Sequence, residues 1–144
     1  MMDQHPLEDL PHGPEFRFLD YLINIEPGKS GIASYKLPAD AHFLRGHFPG
    51  HPLMPGVLMI EAVAQLAGVV AQSDPNAEYL DNLRLTAVRA AKIRGTIPPE
   101  EEIRIQVSIA GRMGGLIQAA GTVTHDEKEI ASVQVTLSGD LPAA

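Results

Sequence analysis

VLMIEAVAQLAGVVAQS, residues Val57 to Ser73, carries apolar side chains at every angle of a helical projection, with small residues at Ala62, Ala64, Ala67 and Gly68. A helix of that composition is buried all round rather than laid on a surface. It is the one long helix that the sequence predicts, and its surroundings decide what it is buried in. Downstream, LRLTAVRAAKIRGTI, IRIQVSI, LIQAAGTVTH and IASVQVTL alternate apolar and polar residues, and Pro98-Pro99, Gly111 to Gly115 and Asp126 to Glu129 separate them. These read as four strands joined mostly by short turns. Upstream, FRFLDYLINI from Phe16 to Ile25 and the run Ser30 to Lys36 flank the turn Glu26-Pro27-Gly28-Lys29, a further strand pair. Two strands, a buried helix and four strands predict an α+β domain whose antiparallel sheet wraps around one long central helix. The expected unit is a single domain over residues 1–144. Residues 1–15, polar and holding three prolines, form an N-terminal arm with one short helical turn around Leu7 to Leu10.

Composition narrows the chemistry. The chain has 144 residues, 44% of them hydrophobic, which is enough apolar material for one core. No apolar run approaches the roughly 18 residues of a membrane span, and Met1 to Pro14 carries Asp3, Glu8 and Asp9 where a secretory leader is basic and apolar. A cytoplasmic protein without membrane contact is expected. There is no cysteine, so disulfides, thiolate metal sites and cysteine nucleophiles are excluded. A net charge of -7 argues against nucleic acid as a partner, because such binding rests on cations meeting phosphates.

The stretch HFLRGHFPGHPLMPG, His42 to Gly56, has prolines at 49, 52 and 55 and leads straight into the helix. Each proline fixes its own φ and restricts its predecessor, so the loop is stiff. Between Gly46 and Ser73 the one formally charged side chain is Glu61, little more than a turn into the helix. Desolvation there disfavours the ionised carboxylate and suits Glu61 to donate a proton. A helix glutamate that reaches solvent, or that bonds Gln65 one turn on, is the equally weighted structural alternative. His47, fourteen residues before Glu61, is an imidazole on a stiff backbone. An unperturbed imidazole titrates near about 6.5 and keeps the neutral fraction that a general base needs. A histidine bonding a loop carbonyl is the plainer reading. His42 and His51 share the loop, but none of the three has helical ligand spacing and one carboxylate is nearby, so no metal is expected. Gly56 follows Pro55 at the helix start, where N–H groups lack internal partners and favour developing negative charge. Gly56 and Glu61 stand about 140° apart on an ideal helix, which points to a site shared by two chains.

GHFPGHPLMPGVLMIEAVAQ, Gly46 to Gln65, resembles the signature of bacterial β-hydroxyacyl-acyl-carrier-protein dehydratases of the FabZ type. LPHGPEFRFLDYLINIEPGKS and AAKIRGTIPPEEEIRI extend the resemblance over most of the chain. It implies a hot-dog fold, a homodimer whose two sheets run together, active sites at the interface, and a trimer of dimers as a larger assembly. It also implies His47 as base, Glu61 of the partner subunit as acid, and Gly56 as backbone donor to the thioester carbonyl. Gln65 would orient the carboxylate, and Phe48, Pro55 and Val57 would join Gly56 and Gln65 against the substrate. No cofactor is required. The chain departs from the pattern at Gly13-Pro14-Glu15, where the family shows Arg-Tyr-Pro, and at Pro99-Glu100-Glu101, where it shows Pro-Gly-Asp. Glutamate rather than aspartate at position 61 separates it from the FabA-like dehydratase-isomerase branch.

Two other functions fit such a domain. A hot-dog thioesterase would use a helix carboxylate on the thioester or on water and would not need His47, whereas a non-catalytic acyl-thioester binding module would need neither residue. Arg84, Arg89, Lys92 and Arg94 lie in one segment free of Asp and Glu and hold four of the 11 basic residues. They are the candidate docking surface for an acidic acyl carrier protein. The alternative is a solvated strand face whose cations pair with Glu100 to Glu102.

Overall fold

The computed structural model describes residue 7 and residues 10–46 and 50–142, so His47, Phe48 and Pro49 lie outside the described residues. The described elements run β1 (Tyr21–Glu26), β2 (Ser30–Lys36), α1 (Gly56–Gln72), β3 (Asp81–Ile93), β4 (Glu102–Met113), β5 (Leu116–His125) and β6 (Lys128–Asp140). Short 3-10 turns occupy Pro14–Phe16 and His42–Arg45. The strands form one antiparallel sheet in the order β1-β2-β4-β5-β6-β3. After the β1–β2 hairpin the chain crosses the sheet through α1 and re-enters at the far edge as β3. β4 then returns to pair with β2, and β5 and β6 fill the gap.

Period-two alternation builds the inner face: Ile103, Ile105 and Val107 of β4, Ile117, Ala119 and Val123 of β5, and Val133, Val135 and Leu137 of β6 are all buried. Against them lie Met59, Ala62, Val63, Leu66, Ala67 and Val70 of α1, also buried. Each fully buried Ile, Leu or Val contributes about 1.5–3 kcal/mol from area removed from water, so this layer is the main source of stability. The helix comes close because β5 has no side chain at Gly121, where a Cβ would stand 2.4 Å from Val63 Cγ1. At its C-terminus α1 ends on Ser73, whose N–H and Oγ–H both donate to the Val70 carbonyl, at 3.3 and 2.7 Å.

Three details differ from the sequence reading. The helix is not buried all round: Val57 is 68% exposed, and Glu61, Gly68 and Gln72 are only half-buried. Those last three, at helical spacing, face a cavity that β3 leaves open at the sheet edge. The first strand begins at Tyr21 rather than Phe16. The Phe18 N–H donates to the Gln65 side chain and not to a strand neighbour, so the sheet ladder starts later. The arm, read as polar, buries two of its residues, because Leu7 and Leu10, three residues apart, have their side chains in the core. The Leu10 N–H to Leu7 carbonyl bond of 3.2 Å makes the expected turn. No helix among the described residues is long and apolar enough to cross a membrane.

Candidate active site

Glu61 and Gln65 stand one turn apart on α1, and Gln65 is 2% exposed. A buried primary amide has two donors and a carbonyl to satisfy. The Phe18 N–H can only donate, and it reaches Gln65 Oε1 at 2.9 Å, which fixes which end of the amide is oxygen. Gln65 Nε2 then donates to the Phe16 carbonyl at 2.8 Å and to Glu61 Oε2 at 3.0 Å. Both amide hydrogens are thereby used. Glu61 Oε2 is an acceptor, which leaves Oε1 as the oxygen for a transferable proton. The expected Glu61–Gln65 bond is present, and it does not lead the carboxylate away to solvent: the Glu61 side chain is 19% exposed and lies in a cavity wall.

The cavity holds about 900 Å³ and runs along α1 from Glu61 past Gly68 to Gln72, with Leu83 and Leu85 of β3 opposite. That is the size of a small-molecule site, apolar with a few convergent polar groups. The Gln72 amide in its lining is bound to the Leu80 backbone, through Nε2 to the carbonyl at 2.7 Å and from the N–H to Oε1 at 3.1 Å. The space is large enough for a small ligand lying along α1.

The remaining candidates are placed as follows. Gly56 is the first residue of α1, and Pro55 caps it without a side-chain hydrogen bond. A Cβ at Gly56 would stand 2.5 Å from Ile93 Cδ1, so β3 closes directly on the helix start. Pro55, Gly56 and Val57 do not line the cavity, whereas Glu61 and Gln65 do. His47 and Phe48 lie outside the described residues. Of the basic segment, Arg84 lines the cavity and donates to the Asn82 carbonyl at 2.9 Å. Arg94 pairs with Glu129 at 2.9 Å rather than with Glu100 to Glu102, because β3 and β6 are neighbours in the sheet. Arg89 and Lys92 sit opposite Gln134 and Ser132, alternating with buried Val133 and Val135, and so share the face turned away from α1. Neither has an ion pair among the described residues. Glu101, His125 and Asp126 bring ligand atoms within 4.8 Å of one another, with His125 Nε2 at 3.0 Å from Glu101 and 3.5 Å from Asp126, and none lines the cavity.

Sequence reasoning missed His12. Its Nε2 is 3.3 Å from Glu61 Oε2, and its ring lines the cavity beside Leu10 and Pro11. The local signal was a histidine between Pro11 and Pro14. The contact with Glu61 comes only from the path of the arm over α1.

An antiparallel sheet wrapped on one long helix, with a carboxylate in the wall of a cavity beside it, defines a hot-dog-fold protein. The dehydratase heterocomplex ApeI:P of Xenorhabdus doucetiae shares the fold at a TM-score of 0.76, with 18% identity over 93% of this chain and 88% of that one. Thioesterase superfamily member 2 of zebra fish does so at 0.69, with 15% identity over 92% and 89%. In sequence, the FabA-like domain matches residues 10–134. The 3-hydroxyacyl-[acyl-carrier-protein] dehydratase FabZ of Geotalea uraniireducens (strain Rf4) is 36% identical over 118 residues, 81% of each chain. That of Myxococcus xanthus (strain DK1622) is 32% identical over 123 residues, 85% of this chain and 80% of its own. The chain belongs to the FabA-like domain family, in its FabZ dehydratase branch.

Proposed function

We propose that this protein dehydrates 3-hydroxyacyl thioesters carried by an acyl carrier protein, giving the trans-2-enoyl thioester and water in fatty acid or related acyl-chain synthesis. The observation that carries the reading is Glu61, held by Gln65 in the wall of an elongated apolar cavity. Relatives whose names state this reaction align over most of the chain.

A β-hydroxyl leaves poorly and the α-proton of a thioester is weakly acidic, so elimination needs a base, an acid and a carbonyl donor together. His47 takes the proton from Cα, and the Cα–H electrons form the new double bond to Cβ. The Cβ–O bond breaks as Glu61 gives its proton to the departing hydroxyl, which leaves as water. The Gly56 N–H stabilises enolate character on the thioester oxygen. Return of the proton from His47 to Glu61 by way of solvent closes the cycle, so no cofactor is required.

The acid and base come from different subunits of a cytoplasmic homodimer, each chain acting as one domain. Two features support this reading. β3 is a 13-residue edge strand with exposed Val88 and Ile93 and no covering element among the described residues. Such an edge is a template for pairing with a second copy. Gly56 packs against Ile93 and lines no part of the cavity that holds Glu61, in keeping with two half-sites on one chain.

The test is absorbance of the enoyl thioester during turnover of a 3-hydroxyacyl model substrate. Wild-type protein should produce it, and His47→Ala and Glu61→Gln should each lower the rate by about two orders of magnitude or more with the fold intact. Wild-type turnover in either variant, or release of free thiol in place of the enoyl product, overturns the assignment.

A further inference from the structure

We propose that His12 is a positioning residue for Glu61, delivered by the N-terminal arm to hold the acid's Oε2 so that Oε1 carries the proton to substrate. The inference rests on Glu61 being the acid, as proposed above.

The arm is anchored on both sides of His12. Leu7 and Leu10 are buried in the core before it, and after it the Phe16 carbonyl accepts from Gln65 Nε2 at 2.8 Å. Arg17 Nε donates to the His12 carbonyl at 2.8 Å, and the His12 ring stacks on Phe16 with centroids 6.0 Å apart and planes 23° apart. Backbone and ring are therefore both fixed, and the ring edge meets Glu61 at 3.3 Å between Nε2 and Oε2.

The direction of that contact follows from the other ring nitrogen. His12 Nδ1 is buried without a hydrogen-bond partner. A neutral imidazole has one donor and one acceptor nitrogen. With the proton on Nε2, only a lone pair is left unmatched at Nδ1. With the proton on Nδ1, a buried N–H would lack an acceptor, the rarer arrangement in folded proteins. The tautomer with Nε2–H therefore fits, and His12 sets that nitrogen against Oε2 as a polar contact at 3.3 Å, outside hydrogen-bond geometry. Gln65 Nε2 donates to the same oxygen at 3.0 Å. The Gln65 hydrogen bond and the His12 contact together confine Oε2 and leave Oε1 for the proton. Gln65 ties the two supports together, because it binds the arm and Glu61 through one nitrogen.

A residue that acts by placing another should lower kcat and leave KM alone. His12→Ala is expected to lower kcat on the order of ten- to a hundredfold, the scale of a small misplacement of a reacting group. KM and the melting temperature should be close to wild type. His12→Gln should recover most of the lost rate, since its amide N–H can occupy the place of Nε2, a rescue that a purely packing role would not produce. Wild-type kcat in His12→Ala overturns the inference, and so does a folded His12→Gln that is as impaired as His12→Ala. If His12→Ala does not fold, the kcat of folded His12→Gln decides in the same way: near wild type supports the role and a collapse refutes it. Glu61→Gln is measured alongside. Full activity there removes the acid assignment and this inference together, whereas an inactive Glu61→Gln with an unaffected His12→Ala removes His12 alone.

Discussion

Gln65 Nε2 donates to Glu61 Oε2 at 3.0 Å while its Oε1 accepts from the Phe18 N–H at 2.9 Å, so one buried amide joins the helix carboxylate to the chain entering β1. On the proposed function, the link gives Gln65 a part both in the fold and in placing the acid. Gln65→Leu would strand the buried Phe18 N–H at a cost of about 1–3 kcal/mol and remove the bond to the part-buried Phe16 carbonyl. The melting temperature should fall clearly and dehydration with it. Calorimetry showing a variant as stable as wild type would mean that these backbone groups find other partners.

A shared site predicts complementation. His47→Ala and Glu61→Gln subunits, each inactive alone, should recover activity when mixed under conditions of subunit exchange. A heterodimer holds one intact pair, so random mixing restores roughly a quarter of the wild-type sites. Verified exchange with no return of activity would rule out acid and base on different chains.

Arg89 and Lys92 are exposed on the sheet face turned away from α1, with no ion pair among the described residues, in a chain of net charge -7. Reversing both charges should raise the apparent KM for a carrier-protein substrate several-fold and leave turnover of a small N-acetylcysteamine or CoA thioester nearly unchanged. The carrier effect should shrink with added salt. Equal losses on both substrates would mean that the pair supports the fold and not docking.

Asp20 and Tyr35 predict opposite ends of the stability profile. Burial, assisted by the charge of Glu102, raises the Asp20 carboxyl above 3.8, although the Lys36 N–H donates to it at 2.7 Å. A raised folded value means that the native state binds the proton first, so this contribution is present at low pH and lost as pH rises through the folded value. Asp20→Asn should therefore raise the melting temperature at neutral pH, and the gain should vanish on acidification towards pH 3.8. Burial, with the Asp20 charge behind it, pushes the Tyr35 phenol from 10.0 up to about 12. The same sign rule applies: stability holds below pH 10 and is lost between there and about 12, where the unfolded phenol ionises first. Tyr35→Phe should flatten that alkaline loss in pH-dependent melting curves. Parallel curves for variant and wild type would refute either half.

The sequence by itself determined the element order. The apolar run from Val57 to Ser73 had to be a helix in a core, and strict alternation in IRIQVSI and LIQAAGTVTH assigned β4 and β5, because period-two burial is local to each segment. It also singled out Glu61, the one charge in a long uncharged stretch, and the residue one turn on that binds it. Tertiary structure decided what depends on distant segments meeting. Arg94 chose Glu129 because β3 lies beside β6, a pairing set by sheet order and not by spacing. The Phe16 to Phe18 stretch lies outside the sheet because its backbone is bound to the Gln65 side chain and not to a strand. His12 reached Glu61 across forty-nine residues because two buried leucines fold the arm back over the helix. Hydrophobic pattern is written residue by residue, but a hydrogen bond between remote groups exists only once packing has brought them within about 3 Å.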